Sequence, residues 1–227
     1  MKLYTFYTDS HSILFDNFFK PSLSIVDSID LIYKKEPQKC TTASYMDSGW
    51  LETMKSKVQL HIEASKQFDD QHFIYSDCDI IFLDSNLVQI LLEELDDNDI
   101  AFQDDVEPYG NRPTCCAGFF ISKTNKSTLS IWENVLDILN KLPQNTNQND
   151  QTLLNLILNN TGSNIKYKLL SHKFFTLAQY RKELWDKKTN FFDFDIPTNI
   201  VTYHANWTHG VSNKINLLNM VKSKKQI

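Results

Sequence analysis

Phe73-Ile-Tyr-Ser-Asp77-Cys-Asp79-Ile-Ile-Phe-Leu-Asp84 is the stretch on which the reading of this chain turns. A run of β-formers, Phe73 to Tyr75, climbs into two acids, and a second apolar run, Ile80 to Leu83, leaves them. Residues two apart in a strand share a face, so the pattern predicts that the carboxylates of Asp77 and Asp79 point the same way. The apolar flanks predict buried sheet rather than surface loop. Two carboxylates held together at the end of a buried strand repel each other, and a divalent cation or a shared proton is the usual relief. Cys78, between them, should face away from the acids.

Working outward, Lys2 to Tyr7 reads as a first strand ending at Thr8-Asp9, and Ile13 to Phe19 as a short helix closed by Pro21. Residues 28 to 33 read as a second strand and 34 to 49 as a loop. Leu51, Met54, Val58 and Ile62 recur at helical spacing and predict an amphipathic helix over 51 to 68 that delivers the chain into the acid strand. Ser85 reads as the N-cap of a helix through Leu95. Short strands follow at 100 to 103 and 115 to 122, with a polar, turn-rich stretch at 104 to 113 between them. Trp132, Val135 and Leu139 stripe a helix over 125 to 141. After the linker 143 to 149 come a helix at 150 to 159 and a strand at 165 to 170. The aromatic region 172 to 198 gives no assignable pattern. A last strand, 200 to 204, leads through Asn206-Trp-Thr-His-Gly210 into a helix over 213 to 222.

Strands alternating with helices predict an α/β protein with a mostly parallel sheet, whose ligands sit beyond the carboxyl ends of the strands. Asp77 and Asp79 lie at such an end, as do Thr8-Asp9 and Asp104-Asp105. With 227 residues, the chain can bury about 70% of its unfolded surface around a real core. A net charge of -5 offers no general attraction to nucleic acid. No Gly-x-Gly-x-x-Gly and no Walker loop is present, so dinucleotide and P-loop chemistry lack their phosphate cradle. The four cysteines, Cys40, Cys78, Cys115 and Cys116, make no Cys-x-x-Cys pair and are expected as buried free thiols. With neither a signal-peptide core nor an apolar run of about eighteen residues, the expectation is a cytoplasmic protein without a membrane segment. The sequon at Asn206 falls inside the expected site, where a glycan would obstruct it, and points the same way.

A hard divalent cation wants oxygen ligands and tolerates one imidazole. His204 follows an apolar strand directly, as the acids do, which favours it as third ligand, with His209 as the alternative. His11, His61, His72 and His172 read as surface or packing residues. Lys214, after Gly210, stands where a helix N-terminus would meet an anion, and otherwise reads as a solvated lysine. Lys57, within the apolar-striped helix, reads equally as a snorkelling lysine or a functional one.

The stretch Tyr-Ser-Asp77-Cys-Asp79-Ile-Ile-Phe-Leu resembles the Asp-x-Asp strand of GT-A nucleotide-sugar glycosyltransferases, the nucleotide-diphospho-sugar transferase group above all. Tyr4-Thr5-Phe6-Tyr7-Thr8 is similar to that family's first strand, where base and ribose bind. Ser56-Lys57 stands where the family carries a basic residue facing the donor. Ala117-Gly118-Phe-Phe is similar to its mid-domain strand, and Asn149-Asp150-Gln151 with Asn155 to its Asp-Gln helix start. Tyr203-His204-Ala-Asn206-Trp with Gly210 and Lys214 is similar to its terminal segment. Glycogenin-like relatives place the lysine three residues after the glycine, whereas Lys214 is four after Gly210.

The resemblance implies a GT-A, Rossmann-like three-layer α/β/α fold in a single domain over 1–227. About 1–105 would form the nucleotide-binding half, and about 106–227 the acceptor half and the C-terminal metal- and diphosphate-binding segment. It implies a metal-dependent glycosyltransferase that moves a sugar from a nucleotide-diphosphate sugar, UDP being the family's usual nucleotide, to a glycan, protein or small molecule. Asp77, Asp79 and His204 would hold Mn²⁺ or Mg²⁺. Thr5, Tyr7, Thr8, Lys57, Asp77, Gly210 and Lys214 would bind the donor, with Tyr7 stacking on the base. Asp104, Asp105 and Asp150 are the catalytic candidates, serving sugar hydroxyls or the acceptor. Two alternatives stand beside this reading. One is a haloacid-dehalogenase-type phosphatase, with Asp77 as nucleophile, although Ile81 stands where that family carries Thr. The other is a non-catalytic sugar- or partner-binding domain that keeps the fold.

Overall fold

A computed structural model describes residues 1–40, 47–68, 71–105, 114–144, 146–160, 164–176, 185–186, 191–192 and 196–225. Its centre is a six-stranded sheet of β1 (Lys2–Tyr7), β2 (Asp30–Lys35), β3 (His72–Ser76), β5 (Ile100–Asp104), β6 (Cys115–Lys123) and β7 (Tyr167–Leu169). The strands run in the order β2-β1-β3-β6-β5-β7, and only β6 is antiparallel to its neighbours. A second, three-stranded sheet joins β4 (Ile80–Phe82), β11 (Thr202–His204) and β8 (Phe174–Thr176) in the order β4-β11-β8. A two-residue pair, β9 (Trp185–Asp186) and β10 (Phe191–Phe192), stands apart from both.

Strand alternation divides the core into two layers. Phe73, Tyr75, Phe102 and Phe120 point to the face covered by α3 (Trp50–Ser65), α5 (Lys126–Lys141) and α6 (Asp150–Leu158). Ile74, Phe119 and Ile121 point to the other face, which meets α4 (Leu87–Leu95), α7 (Val211–Lys225), the small sheet and the helical run after β1. This is the three-layer α/β/α arrangement that the resemblance implies. Trp132 of α5 is wholly buried in the first layer, and a capping box between Asn125 and Thr128 starts its helix.

Three local expectations are corrected. Pro21 does not end the first helix. The run proceeds through α1 (Ser12–Leu14), a wide π-type turn (Phe15–Phe19) and α2 (Lys20–Leu23), with Pro21 in the first turn of α2, where a missing N–H costs least. The cap of α4 is Asn86 rather than Ser85, and the Asp84 carboxylate accepts the Asn86 N–H at 2.9 Å. The acid pair lies in no strand. β3 ends at Ser76 in the large sheet, β4 begins at Ile80 in the small one, and Asp77 to Asp79 form the crossing between them.

Of the expected loop at 34 to 49, residues 41 to 46 lie outside the described residues, as do 106 to 113 of the turn-rich stretch and much of 172 to 198. All four cysteines are buried and outside any disulfide, and Cys78 packs into the second core layer.

Candidate functional site

The sheet crossing creates the site. Because β4 leaves the large sheet, it pairs antiparallel with β11, and the register sets His204 opposite Ile80. The Ala205 N–H then donates to the Asp79 carbonyl at 3.0 Å. This places His204 Nε2 3.2 Å from Asp79 Oδ1, across 125 residues of sequence. Asp77 completes the group: ligand atoms of Asp77, Asp79 and His204 all lie within 4.8 Å of one another. They converge on a cavity of ≈ 430 Å³ that opens beyond the carboxyl ends of β1 and β3.

A fully buried glutamine decides what His204 can do. Gln103 Nε2 donates to the carbonyls of Phe174 (3.1 Å) and Phe175 (3.4 Å), so its Oε1 is the atom facing His204 Nδ1 at 2.8 Å. Nδ1 must therefore donate, and in the neutral imidazole the Nε2 lone pair turns towards the two acids. A lone pair aimed at carboxylate oxygens is tolerable only with a proton or a cation between them. Two carboxylates with one imidazole nitrogen suit a divalent ion of the Mn²⁺ or Mg²⁺ kind, so the donor set fits the group that the resemblance implies.

Two lysines balance the acids. The Lys214 ammonium donates to Asp79 Oδ2 and, at 3.2 Å, to the Ala205 carbonyl. Burial works against the Asp79 charge, but Lys214 and His204 outweigh it and hold this carboxyl well below the usual range. Lys57 is buried between Asp77 Oδ2 (3.1 Å) and Asp150 Oδ2 (3.2 Å). Burial alone would depress its pKa, yet Asp150 and Asp77 raise it above that of a free lysine. Neither reading of Lys57 from sequence anticipates an ion triad. For Asp77, burial lifts the carboxyl against the pull of Lys57. The Tyr75 hydroxyl donates to its Oδ1 at 2.9 Å.

Gly118 is needed for this packing. A Cβ there would lie 2.4 Å from Asp77 Oδ2 and 3.0 Å from His204 Cε1. Gly118→Ala should displace Asp77 and lower stability by about 1–3 kcal/mol, the ordinary cost of overpacking. Chemical denaturation checks this, and a variant as stable as the parent would show that Asp77 has room to move.

The remaining expected residues are distributed unevenly. Tyr7, Thr8, Lys57, Asp77, Asp79, Asp105, Asp150, Gly210 and Lys214 line the cavity, whereas Thr5 and Asp104 do not. Thr5 is fully buried within β1, and Asp104 alternates away from its cavity-facing neighbour Asp105. His204 lies just beneath the lining, and His209 lines the cavity but is not part of the acid cluster. Tyr7 stacks on Phe15 at 4.2 Å, while Tyr33 is 6.3 Å from Tyr7 but 5.1 Å from Phe15. The three rings thus form a triangle rather than a stack of three, with Tyr7 packed against the core and lining the cavity.

Several site residues escape a sequence reading. Gln103, in the otherwise apolar Ile-Ala-Phe-Gln run of β5, carries a signal only as a polar residue in a buried strand. Asp105 is a candidate from sequence, but its setting is not legible there: 4% exposed, it accepts from Asn206 Nδ2 (2.7 Å), Trp207 Nε1 (2.7 Å) and Gln151 Nε2 (2.8 Å), and burial pushes its pKa up despite these bonds. His11 is a cavity wall residue rather than surface or packing filler: its Nδ1 meets the hydroxyls of Ser10 (2.9 Å) and Thr8 (3.4 Å). Burial and the nearby Lys214 lower its pKa.

A family model described as nucleotide-diphospho-sugar transferase matches residues 24–218. No curated protein matches the chain. Among solved structures, a glycosyltransferase involved in glycosylation of the major capsid of PBCV-1 superposes with a TM-score of 0.61 at 13% identity, over 96% of this chain and 98% of that one. The galactosyltransferase LgtC, in complex with donor and acceptor sugar analogs, gives 0.56 at 13% identity, over 99% and 100%. Glycosyltransferase GlyE of Streptococcus pneumoniae TIGR4 gives 0.56 at 17% identity, and the match spans 98% of this chain but 63% of GlyE. At these identities the likenesses establish the fold.

Proposed function

The chain belongs to the nucleotide-diphospho-sugar transferase family and has the GT-A fold, and from that premise we propose that it is a metal-dependent glycosyltransferase using a UDP-sugar. The observation that carries this reading is the convergence of Asp77, Asp79 and His204 within 4.8 Å on the cavity, with the Lys214 ammonium beside them. Asp77, Asp79 and His204 would hold Mn²⁺ or Mg²⁺. When bound, the ion supplies Lewis-acid neutralisation of the charge that develops on the departing nucleoside diphosphate.

The protein's own groups divide the remaining work. Tyr7, which lines the cavity, takes the base, and Thr8 takes the ribose side. Gly210, with φ of +78°, makes the turn into α7, so that the first N–H groups of this helix and Lys214 face the diphosphate together. Lys214 already bonds Asp79, and its ammonium offsets phosphate charge in a partly dry cavity, where fixed charges act more strongly than in water. Asp150, held by Lys57, presents a fixed carboxylate to sugar hydroxyls or to the acceptor. Asp105 has both oxygens occupied by three donors, and we read it as a positioning residue rather than as a base. We give Asp104 no part in the chemistry.

We also read the chain as one domain. Its first half supplies Asp77 and Asp79, and its second half supplies His204 and Lys214. Among the described residues no helix is long and apolar enough to cross a membrane. The reduced, buried cysteines and the engagement of the Asn206 side chain with Asp105 favour a cytoplasmic site of action, since a glycan on Asn206 would break that contact.

Titration calorimetry of UDP with and without Mn²⁺, repeated on Asp79→Ala, tests the proposal. The expected result is binding that needs the metal and is lost in the variant, followed by slow metal-dependent hydrolysis of a UDP-sugar. If neither UDP nor GDP binds in the presence of Mn²⁺, the proposal fails.

A further inference from the structure

Trp207 is one residue on the cavity wall to which the donor reading gives no task. The residue is 47% exposed and lines the cavity, so it stands at open space rather than in the core. It is nonetheless fixed. The ring N–H donates to Asp105 Oδ1 at 2.7 Å, and Asp105 is itself buried and tied by Asn206 and Gln151. The backbone of Trp207 has φ of +54°, a left-handed conformation that is rare for a bulky side chain and persists only when its surroundings impose it. The result is a rigid aromatic face, pinned at its polar edge and open on its apolar side.

The order of strands places this face relative to the donor. Tyr7 and Thr8 stand at the end of β1, Asp77 at the end of β3, and Asp105 at the end of β5. With β6 between β3 and β5, three inter-strand steps, about 14 Å, separate the β1 and β5 ends. A nucleotide with its base at Tyr7 and its phosphates at Asp79 and Lys214 directs its sugar towards the β5 side. Trp207 lies on that side through its bond to Asp105, as does Asp150, whose neighbour Gln151 also bonds Asp105.

We propose that Trp207 is the platform for the acceptor, and that the acceptor is a pyranose ring rather than a protein side chain. The inference rests on the donor reading above. One face of a pyranose carries C–H groups polarised by neighbouring ring and hydroxyl oxygens, and such a face matches the negative π-face of an indole. The ring hydroxyls project sideways, where the Asp150 carboxylate can accept from them. A serine or threonine hydroxyl on a peptide offers no flat apolar face and would leave the fixed indole without a role.

The test uses the whole chain with UDP-sugar, Mn²⁺ and a panel of methyl pyranosides in the gluco, galacto, manno and N-acetylglucosamine series. At least one pyranoside should accept. Trp207→Ala should then raise its KM roughly tenfold or more, while Trp207→Phe, which keeps a ring but loses the N–H, stays within a few-fold of the parent. kcat should move far less than KM in both variants. An equal KM in all three proteins overturns the platform. So does a parent protein that binds UDP and Mn²⁺ but accepts no pyranoside.

Ligand-observed saturation-transfer NMR with the same pyranosides separates this inference from the donor reading. If UDP fails to bind, the donor reading falls. A saturation-transfer signal weakened in Trp207→Ala and kept in Trp207→Phe then still supports the platform, and no signal from any pyranoside overturns it.

Discussion

Lys57→Met should destabilise the protein by about 3–5 kcal/mol, the usual cost of removing one partner from a buried ion pair. Methionine nearly matches the lysine stem, so little packing is lost and the effect isolates the charge. What remains is two carboxylates, Asp77 and Asp150, facing each other in a site where the lysine has only 7% of its side chain exposed. The direction of the pKa shift fixes the pH range. Asp150 and Asp77 raise the folded-state pKa of Lys57 against the effect of burial, so its contribution is full below the pKa of a free lysine, about 10.4, and is lost only as pH rises through the folded value. The deficit should therefore be undiminished between about pH 6 and 9. In a thermal melt it amounts to a fall of roughly 10 °C for a chain of this length. Adding Asp150→Asn removes one stranded carboxylate and should restore part of the loss. A melting temperature within a degree or two of the parent would mean that the three charges contribute no net stability.

Gln103→Leu should weaken Mn²⁺ binding by roughly 10–100-fold, the usual effect of losing the partner that orients a ligating histidine. Leucine cannot accept from His204 Nδ1, so the ring loses the contact that directs its Nε2 lone pair to Asp79 and Asp77. It also removes the donor that Gln103 offers to the Phe174 and Phe175 carbonyls. Gln103→Glu separates the two effects: its carboxylate still accepts from Nδ1 but cannot donate to those carbonyls. Manganese affinity, read by electron paramagnetic resonance or calorimetry, should survive better in the glutamate variant even if both melt earlier. Equal affinity in the parent and the leucine variant would exclude Gln103 from setting the histidine.

Much of this arrangement is legible in the sequence, for physical reasons. Apolar flanks around Asp77 and Asp79 announce buried backbone, and β-formers alternating with helical stripes announce layers. The same signals are silent about which sheet a strand joins. Two apolar runs around a pair of acids read identically whether the chain continues in one sheet or crosses to another, so the crossing at Asp77–Asp79 is invisible until β4 is seen to pair with β11. His204 could be singled out by its place after an apolar strand, but its orientation depends on Gln103, 101 residues away. Asp104 and Asp105 are equivalent as sequence, and one step of strand alternation sends one to the cavity and the other away from it. Lys57 is ambiguous as a helix residue because its two acids come from elsewhere in the chain. Asp77 is 20 residues distant and Asp150 lies at the start of α6.

The bond between Lys214 and Asp79 closes a loop of 135 residues, and the pairing of β11 with β4 does much the same. During synthesis, Asp77, Asp79 and Lys57 leave the ribosome long before their C-terminal partners exist. At the usual elongation rate of about 5–20 residues per second, that interval lasts on the order of ten seconds. A nascent chain that has emerged only to residue 200 has its acid pair but lacks His204 and Lys214, the imidazole and the ammonium that would complete the proposed cation and diphosphate site. Under the proposed function, catalytic competence would thus wait for the C-terminal strand and helix, and a fragment released early would lack it.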